Sequence, residues 1–368
     1  MSAQTRLIRR SDMVACKLAF IDCKMPGSNL KENYSLIGAG VTQSADQVVN
    51  ITEPHGFSLG VAAMPPGVTN NLHVHYTAEV FMVFSGTWLF RWGAEGRDGE
   101  IIGKPGDVVS IPTWIFRGFS NVGNDDGWIF TALGGDDTGG IIWHPSILEN
   151  AAQHGLYLTR DNMLVDTETG AAKPDSADLI EPLDPAAVAS LRRFDTEAMR
   201  RRVVISEERA WSSRALLDSV LEGHASELAP VIGHGISEDL EHVPPIANPH
   251  GFSVEWLRVP PRSQIGPFRL SEKQVLIVFS GGITVTLAGD TPVTVIAREV
   301  FSTPADVWRT IGNPAAEPAD VAIVIPGEHK KRPEWAPEIV AAAAAKGVGV
   351  DHSGYLAPAK LLPRKHAA

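Results

Sequence analysis

The residues best able to do chemistry lie in one stretch, Gly67-Val-Thr-Asn-Asn-Leu-His73-Val-His75-Tyr-Thr-Ala-Glu79-Val-Phe-Met-Val-Phe-Ser-Gly86. Side chains two apart on a strand share a face, so His73, His75 and Glu79 have the parity to project together into an interior. Two imidazoles and a carboxylate converging on one point suit a divalent transition metal, with Glu79 acting as ligand or base. The competing reading is three polar residues on a solvated face. The apolar residues on both parities of Val80 to Phe84 weaken it, because they mark a strand buried on each side.

An internal repeat supplies the elements that must position these residues. Pro54-His55-Gly56-Phe57-Ser58 recurs as Pro249-His250-Gly251-Phe252-Ser253, and Phe84-Ser85-Gly86 recurs as Phe279-Ser280-Gly281. Pro112, Arg117 and Asn121 then align with Pro304, Arg309 and Asn313, and Trp143 with Trp335. Two copies of roughly 120 residues can each bury a core, so the chain reads as a duplicated domain and not a solenoid. The expected division is 1–160 for the first domain, 161–193 for a linker with a short helix from Pro185 to Arg193, and 194–368 for the second. Short apolar runs broken by Gly and Pro (Val80 to Phe84, Trp88 to Trp92, Val108 to Ile111, Trp128 to Leu133) predict an all-β fold. A helix closes each copy, over Ser146 to His154 and Glu338 to Lys346.

The second copy puts Phe268, Leu270 and Gln274 where the first has His73, His75 and Glu79. Apolar side chains cannot coordinate, so metal binding is expected in the first copy only. His55 and His250 recur in both copies and read as structural. Trp88, Phe90 and Trp92 alternate along one strand face and read as core.

Composition narrows the classes of function. The 368 residues carry a formal net charge of −11 with 44% hydrophobic content, which fits a folded protein and argues against nucleic-acid binding. The Arg200, Arg201, Arg202 triplet reads as a solvated helix face. The start of the chain has no apolar signal core and no apolar run approaches the length of a membrane span, so a cytoplasmic protein is expected. Cys16 and Cys23 are too few for a disulfide framework and read as buried thiols.

The first motif resembles that of the cupin superfamily: Gly67, His73, His75, Glu79 and Gly86 meet every fixed position. Gly106, Pro112 and Asn121 match its second motif, but Trp114 stands at the usual middle Gly and Arg117 at the usual third metal-binding His. The resemblance implies two tandem jelly-roll (double-stranded β-helix) barrels with short flanking helices. It also implies a small-molecule substrate, a homodimer and no membrane partner. A guanidinium has no lone pair to offer a cation, so Arg117 cannot replace the missing His. It either grips an anionic substrate or serves the fold, paired with Glu79 in one copy while Arg309 bonds Gln274 in the other. The set His73, His75 and Glu79 then holds a divalent ion, iron foremost, with manganese, nickel, cobalt or zinc as alternatives, or lines an empty polar pocket. Similarity to quercetinase-like and gentisate dioxygenase-like two-domain cupins implies an oxygenase acting on a small aromatic or hydroxylated acid. A non-oxidative isomerase, lyase or decarboxylase and a non-catalytic binding protein stand as alternatives.

Overall fold

Runs of Val, Ile, Phe and Trp interrupted by Gly and Pro form antiparallel strands in both repeats. The computed structural model describes residues 2–247 and 249–363. In the first repeat, Thr69–His75 pairs with Arg117–Asn121 on one side and Ile141–Trp143 on the other, within a five-stranded sheet completed by Trp88–Trp92 and Gly99–Gly103. The second sheet carries Val108–Ile111, Glu79–Ser85, Gly127–Gly134, Phe57–Met64 and Glu32–Ile37 in that order. Phe81, Phe90, Phe119 and Trp88 are among the side chains of its core, the Phe81 ring centroid lying 4.9 Å from Phe90 and 5.0 Å from Phe119. The second repeat builds the same pair of sheets around Ser263–Arg269 and Gln274–Ser280. The fold is all-β, two tandem jelly-roll barrels with short helices.

Two motif residues act alike in both barrels. Asn121 Nδ2 donates to Met64 O at 2.9 Å and Asp125 O at 2.7 Å, and Asn313 Nδ2 donates to Val259 O and Glu317 O at the same two distances. Each asparagine therefore staples a turn to the strand end beside it. Gly86 has φ 85°, and a Cβ there would come 2.7 Å from Gly127 Cα, so only glycine fits that turn.

The bounds of the two units differ from the sequence reading of 1–160, 161–193 and 194–368. One unit comprises 11–207, and the other comprises the described residues of 1–10 and 208–368. The segment around 161–207 packs with the first barrel. Leu156–Leu158 pairs with Leu164–Asp166, Trp92 Nε1 donates to Phe194 O at 2.8 Å, and Val203–Val204 pairs with Val108–Ile111. Leu7–Ile8 pairs instead with Val300–Thr303 in the other unit. The closing helices are Pro145–Gln153 and Pro337–Ala345. Asp184 caps a helix over Pro185–Ser190, which stops short of Arg193 because Leu191 is extended, with ψ 155°.

The arginine triplet is only partly a solvated face. Arg200 and Arg201 are exposed, but Arg202 is buried and donates to Ser110 O at 3.1 Å and Ser110 Oγ at 2.9 Å. A guanidinium that finds carbonyl and hydroxyl acceptors at a sheet edge can leave water. No helix among the described residues is long and apolar enough to cross a membrane.

Candidate metal centre

The strand Thr69–His75 holds His73 opposite Arg117 and Trp143, and His75 opposite Ile141. Glu79 opens the next strand, in the other sheet, opposite Ile111 and Leu133. The histidines thus come from one sheet and the carboxylate from the sheet facing it. Ligand atoms of His73, His75 and Glu79 all lie within 4.8 Å of one another. His73, His75 and Arg117 are each 1% exposed and Glu79 is 5% exposed, which rules out the solvated-face reading.

Hydrogen bonds fix both imidazoles. His73 Nδ1 lies 2.7 Å from Asn71 O and His75 Nδ1 lies 3.4 Å from Gly140 O. A carbonyl can only accept, so Nδ1 carries the proton and each Nε2 keeps its lone pair for the interior. Burial holds both histidines well below the usual imidazole range, and the Arg117 charge adds to the effect. They are neutral, as metal ligands must be. Burial also raises the Glu79 carboxyl, opposed by Arg117, whose Nε donates to Glu79 Oε2 at 3.4 Å. His75 Nε2 faces the same oxygen at 3.4 Å, so two electron-rich atoms approach where only a proton or a cation can reconcile them.

This donor set fits a divalent ion. Two ligands bound at about 2.1 Å can be at most about 4.2 Å apart, so a pair at 4.8 Å must close by at least about half an ångström. Glu79 can turn Oε1 to the ion while Oε2 keeps Arg117, or turn Oε2 to the ion and share it with the guanidinium.

Arg117 takes its expected place beside Glu79, and Arg309 Nη1 donates to Gln274 Oε1 at 3.3 Å. The two arginines differ at their remaining donors. Each guanidinium nitrogen of Arg309 has a partner, with Nε on Val307 O at 3.2 Å and Nη2 on Pro304 O at 3.0 Å. Arg117 Nη1 bonds Ile115 O at 3.2 Å, but its buried Nη2 has no partner among the described residues.

A cavity of about 50 Å³ adjoins the donors, its wall formed by Lys31, Asn70, His73, His75, Glu79 and Gly60 among others. The sequence reading missed Lys31 and Asn70, although the repeat offers a signal: the second copy has Ser226 and Ile265 in their places. Cys16 and Cys23 are free buried thiols on the same wall, and burial pushes Cys23 up to about 11. His55 is buried, its Nδ1 2.6 Å from Glu53 O, and lies outside the cluster of donors.

No family model matches the sequence, and no curated protein matches it. Among solved structures the chain is similar to the Lactobacillus farciminis oxalate decarboxylase–formate complex (TM-score 0.56, 13% identity, 92% of this chain and 90% of that one). It is also similar to the oxalate decarboxylase of Bacillus subtilis (TM-score 0.53, 11% identity, 93% and 82%). Hazelnut (Corylus avellana) vicilin superposes with a TM-score of 0.53 at 11% identity, over 90% of this chain and 88% of that one. With duplicated jelly-roll barrels, the motif glycines and asparagine in their turns, and superpositions over 90% or more of its length, the chain has the fold of a two-domain cupin.

Proposed function

We propose that the barrel of residues 11–207 is a divalent-metal site acting on a small aliphatic acid by non-oxidative chemistry, of the isomerase, lyase or decarboxylase kind. The observation that carries this reading is the buried set His73, His75 and Glu79, with both imidazoles locked in the tautomer that leaves Nε2 free. A bound ion would supply Lewis-acid polarisation of a substrate oxygen. Glu79, beside Arg117, would serve as a carboxylate ligand to that ion, or as the base that takes and returns a proton where the imidazoles alone hold the ion.

Cavity size favours a small substrate over an aromatic ring. A cavity near 150 Å³ takes benzene, whereas this one measures about 50 Å³, room for a few waters, so a short acid displaces less of the wall than an aromatic ring does. The similarity to an oxalate decarboxylase solved with formate, and to one described with Mn(II) centres, supports the same direction. Protein loaded with Mn(II) or Fe(II) should hold about one ion per chain, lost in His73→Ala, and should turn over short carboxylic acids equally under nitrogen and air. Strictly oxygen-dependent turnover would restore the oxygenase reading. A metal content that His73→Ala leaves unchanged would remove the centre.

A further inference from the structure

The cavity wall carries one more charged group. Lys31 is 4% exposed, and its Nζ bonds Asp22 Oδ1 and, at 2.6 Å, Asn70 Oδ1. Asn70 stands between the ammonium and His73, its amide nitrogen 3.4 Å from Nδ1, a nitrogen that already donates to Asn71 O. An ammonium has three N–H donors, and these bonds use two. The Phe20 and Trp143 rings lie 5.1 Å and 5.7 Å from Nζ and shield it from water.

The second barrel shows what this group is not for. Lys31 precedes the strand Glu32–Ile37 as Ser226 precedes Glu227–Ile232, and Asn70 faces Phe119 as Ile265 faces Ile311. Residues that serve the fold recur in both copies, as Asn121 with Asn313 and Arg117 with Arg309 do. Lys31 and Asn70 are instead lost together with the two histidines. A buried Lys–Asp pair is also a poor way to stabilise a strand end, since desolvating both charges offsets their attraction.

We infer that Lys31 is the anion anchor of this cavity, its ammonium receiving one carboxylate of a short dicarboxylic acid whose other end reaches His73, His75 and Glu79. The inference rests on the metal-site reading above. The buried charges here, Asp22, Lys31, Glu79 and Arg117, sum to zero, and the part-exposed Glu32 and Arg91 cancel each other, so a divalent ion adds two uncompensated positive charges to the site. A dianionic ligand balances them, and a neutral or singly charged one does not.

Calorimetric titration of the full chain with malonate, acetate and acetamide, with and without Mn(II), tests the anchor. The neutralising pair Asp22→Asn with Lys31→Met avoids leaving Asp22 buried and alone, and an unchanged melting temperature shows that it folds. The double variant should bind Mn(II) within about twofold of wild type yet bind malonate at least about tenfold more weakly, while Lys31→Arg keeps most of the affinity. Wild type should rank malonate above acetate above acetamide. Unchanged malonate affinity in the double variant, or acetamide binding as well as malonate, overturns the anchor while leaving the metal site standing. Failure of wild type to bind Mn(II) overturns the metal-site reading instead, and the metal-free titrations then judge Lys31 alone.

Discussion

At the scale of single residues, the pair Arg117 and Arg309 separates what the barrel requires from what the site adds. Both are 1% exposed, both are held to about 10 by burial, and both donate to the carbonyl two residues earlier in the chain. Their partners differ: Arg309 meets a neutral amide, whereas Arg117 meets a carboxylate that can also face a metal. Removing one member of a buried charge pair costs roughly 3–5 kcal/mol, because the other is left uncompensated. Arg117→Met should therefore destabilise the metal-free protein by about that amount. Mn(II) should then raise its melting temperature more than it raises that of wild type, since Glu79 no longer shares Oε2 with a guanidinium. Arg309→Met has no carboxylate to release, so Mn(II) should shift it only as much as wild type. Thermal melts in chelator and in excess Mn(II) compare the three, and equal shifts in all would mean that Arg117 and the ion do not share Glu79.

At the scale of elements, turns and strand register deliver the donors. Gly67 and Gly86 both have positive φ, at 79° and 85°, but a Cβ at Gly67 meets nothing within 4 Å among the described residues whereas one at Gly86 runs into the backbone of Gly127. Left-handed backbone costs an L-residue about 1–2 kcal/mol, so Gly67→Ala should lose about that much. Gly86→Ala should lose more and lower metal affinity with it, because Gly86 closes the strand that Glu79 opens. Denaturant unfolding with metal titration reads both, and equal losses would mean that the Gly127 contact relaxes freely. These turns, the strands and the closing helices were legible in the sequence, because Gly, Pro and Asn punctuate apolar runs by local rules. The shared face of His73 and His75 was legible from parity on one strand, but Glu79 opens the next strand, in the facing sheet, so only the motif spacing and not strand parity brought it to them. The partners that orient the imidazoles were not legible, since Asn71 O and Gly140 O are backbone atoms and carry no residue-type signal. Nor was Arg202 legible as buried: its acceptors on Ser110 lie 92 positions away, and only tertiary pairing brings them to it.

At the scale of the molecule, duplication has left one barrel with a polar cavity and another whose corresponding positions are filled. Gly60 lines the cavity of the first barrel, and the second has Glu255 at that place in the strand Phe252–Val259, 1% exposed. Both Glu255 oxygens accept from Ile236 N, at 3.0 and 3.1 Å. Burial pushes its carboxyl up to about 8, with that backbone bond and then the nearby Lys330 and Lys331 pulling the other way. An unfolded chain titrates the same group near about 4.3. Between those values the folded state holds a proton that the unfolded state does not. The stabilisation is therefore complete below the unfolded value, declines as pH rises and is lost through about 8. Glu255→Gln keeps the shape and cannot ionise. Its stability relative to wild type should stay constant below about pH 4 and then improve by up to about 1.4 kcal/mol per pH unit toward pH 8. Urea unfolding of the two proteins at pH 5, 7 and 9 measures the difference, and a gap independent of pH would show that Glu255 is already ionised and paired in the folded barrel.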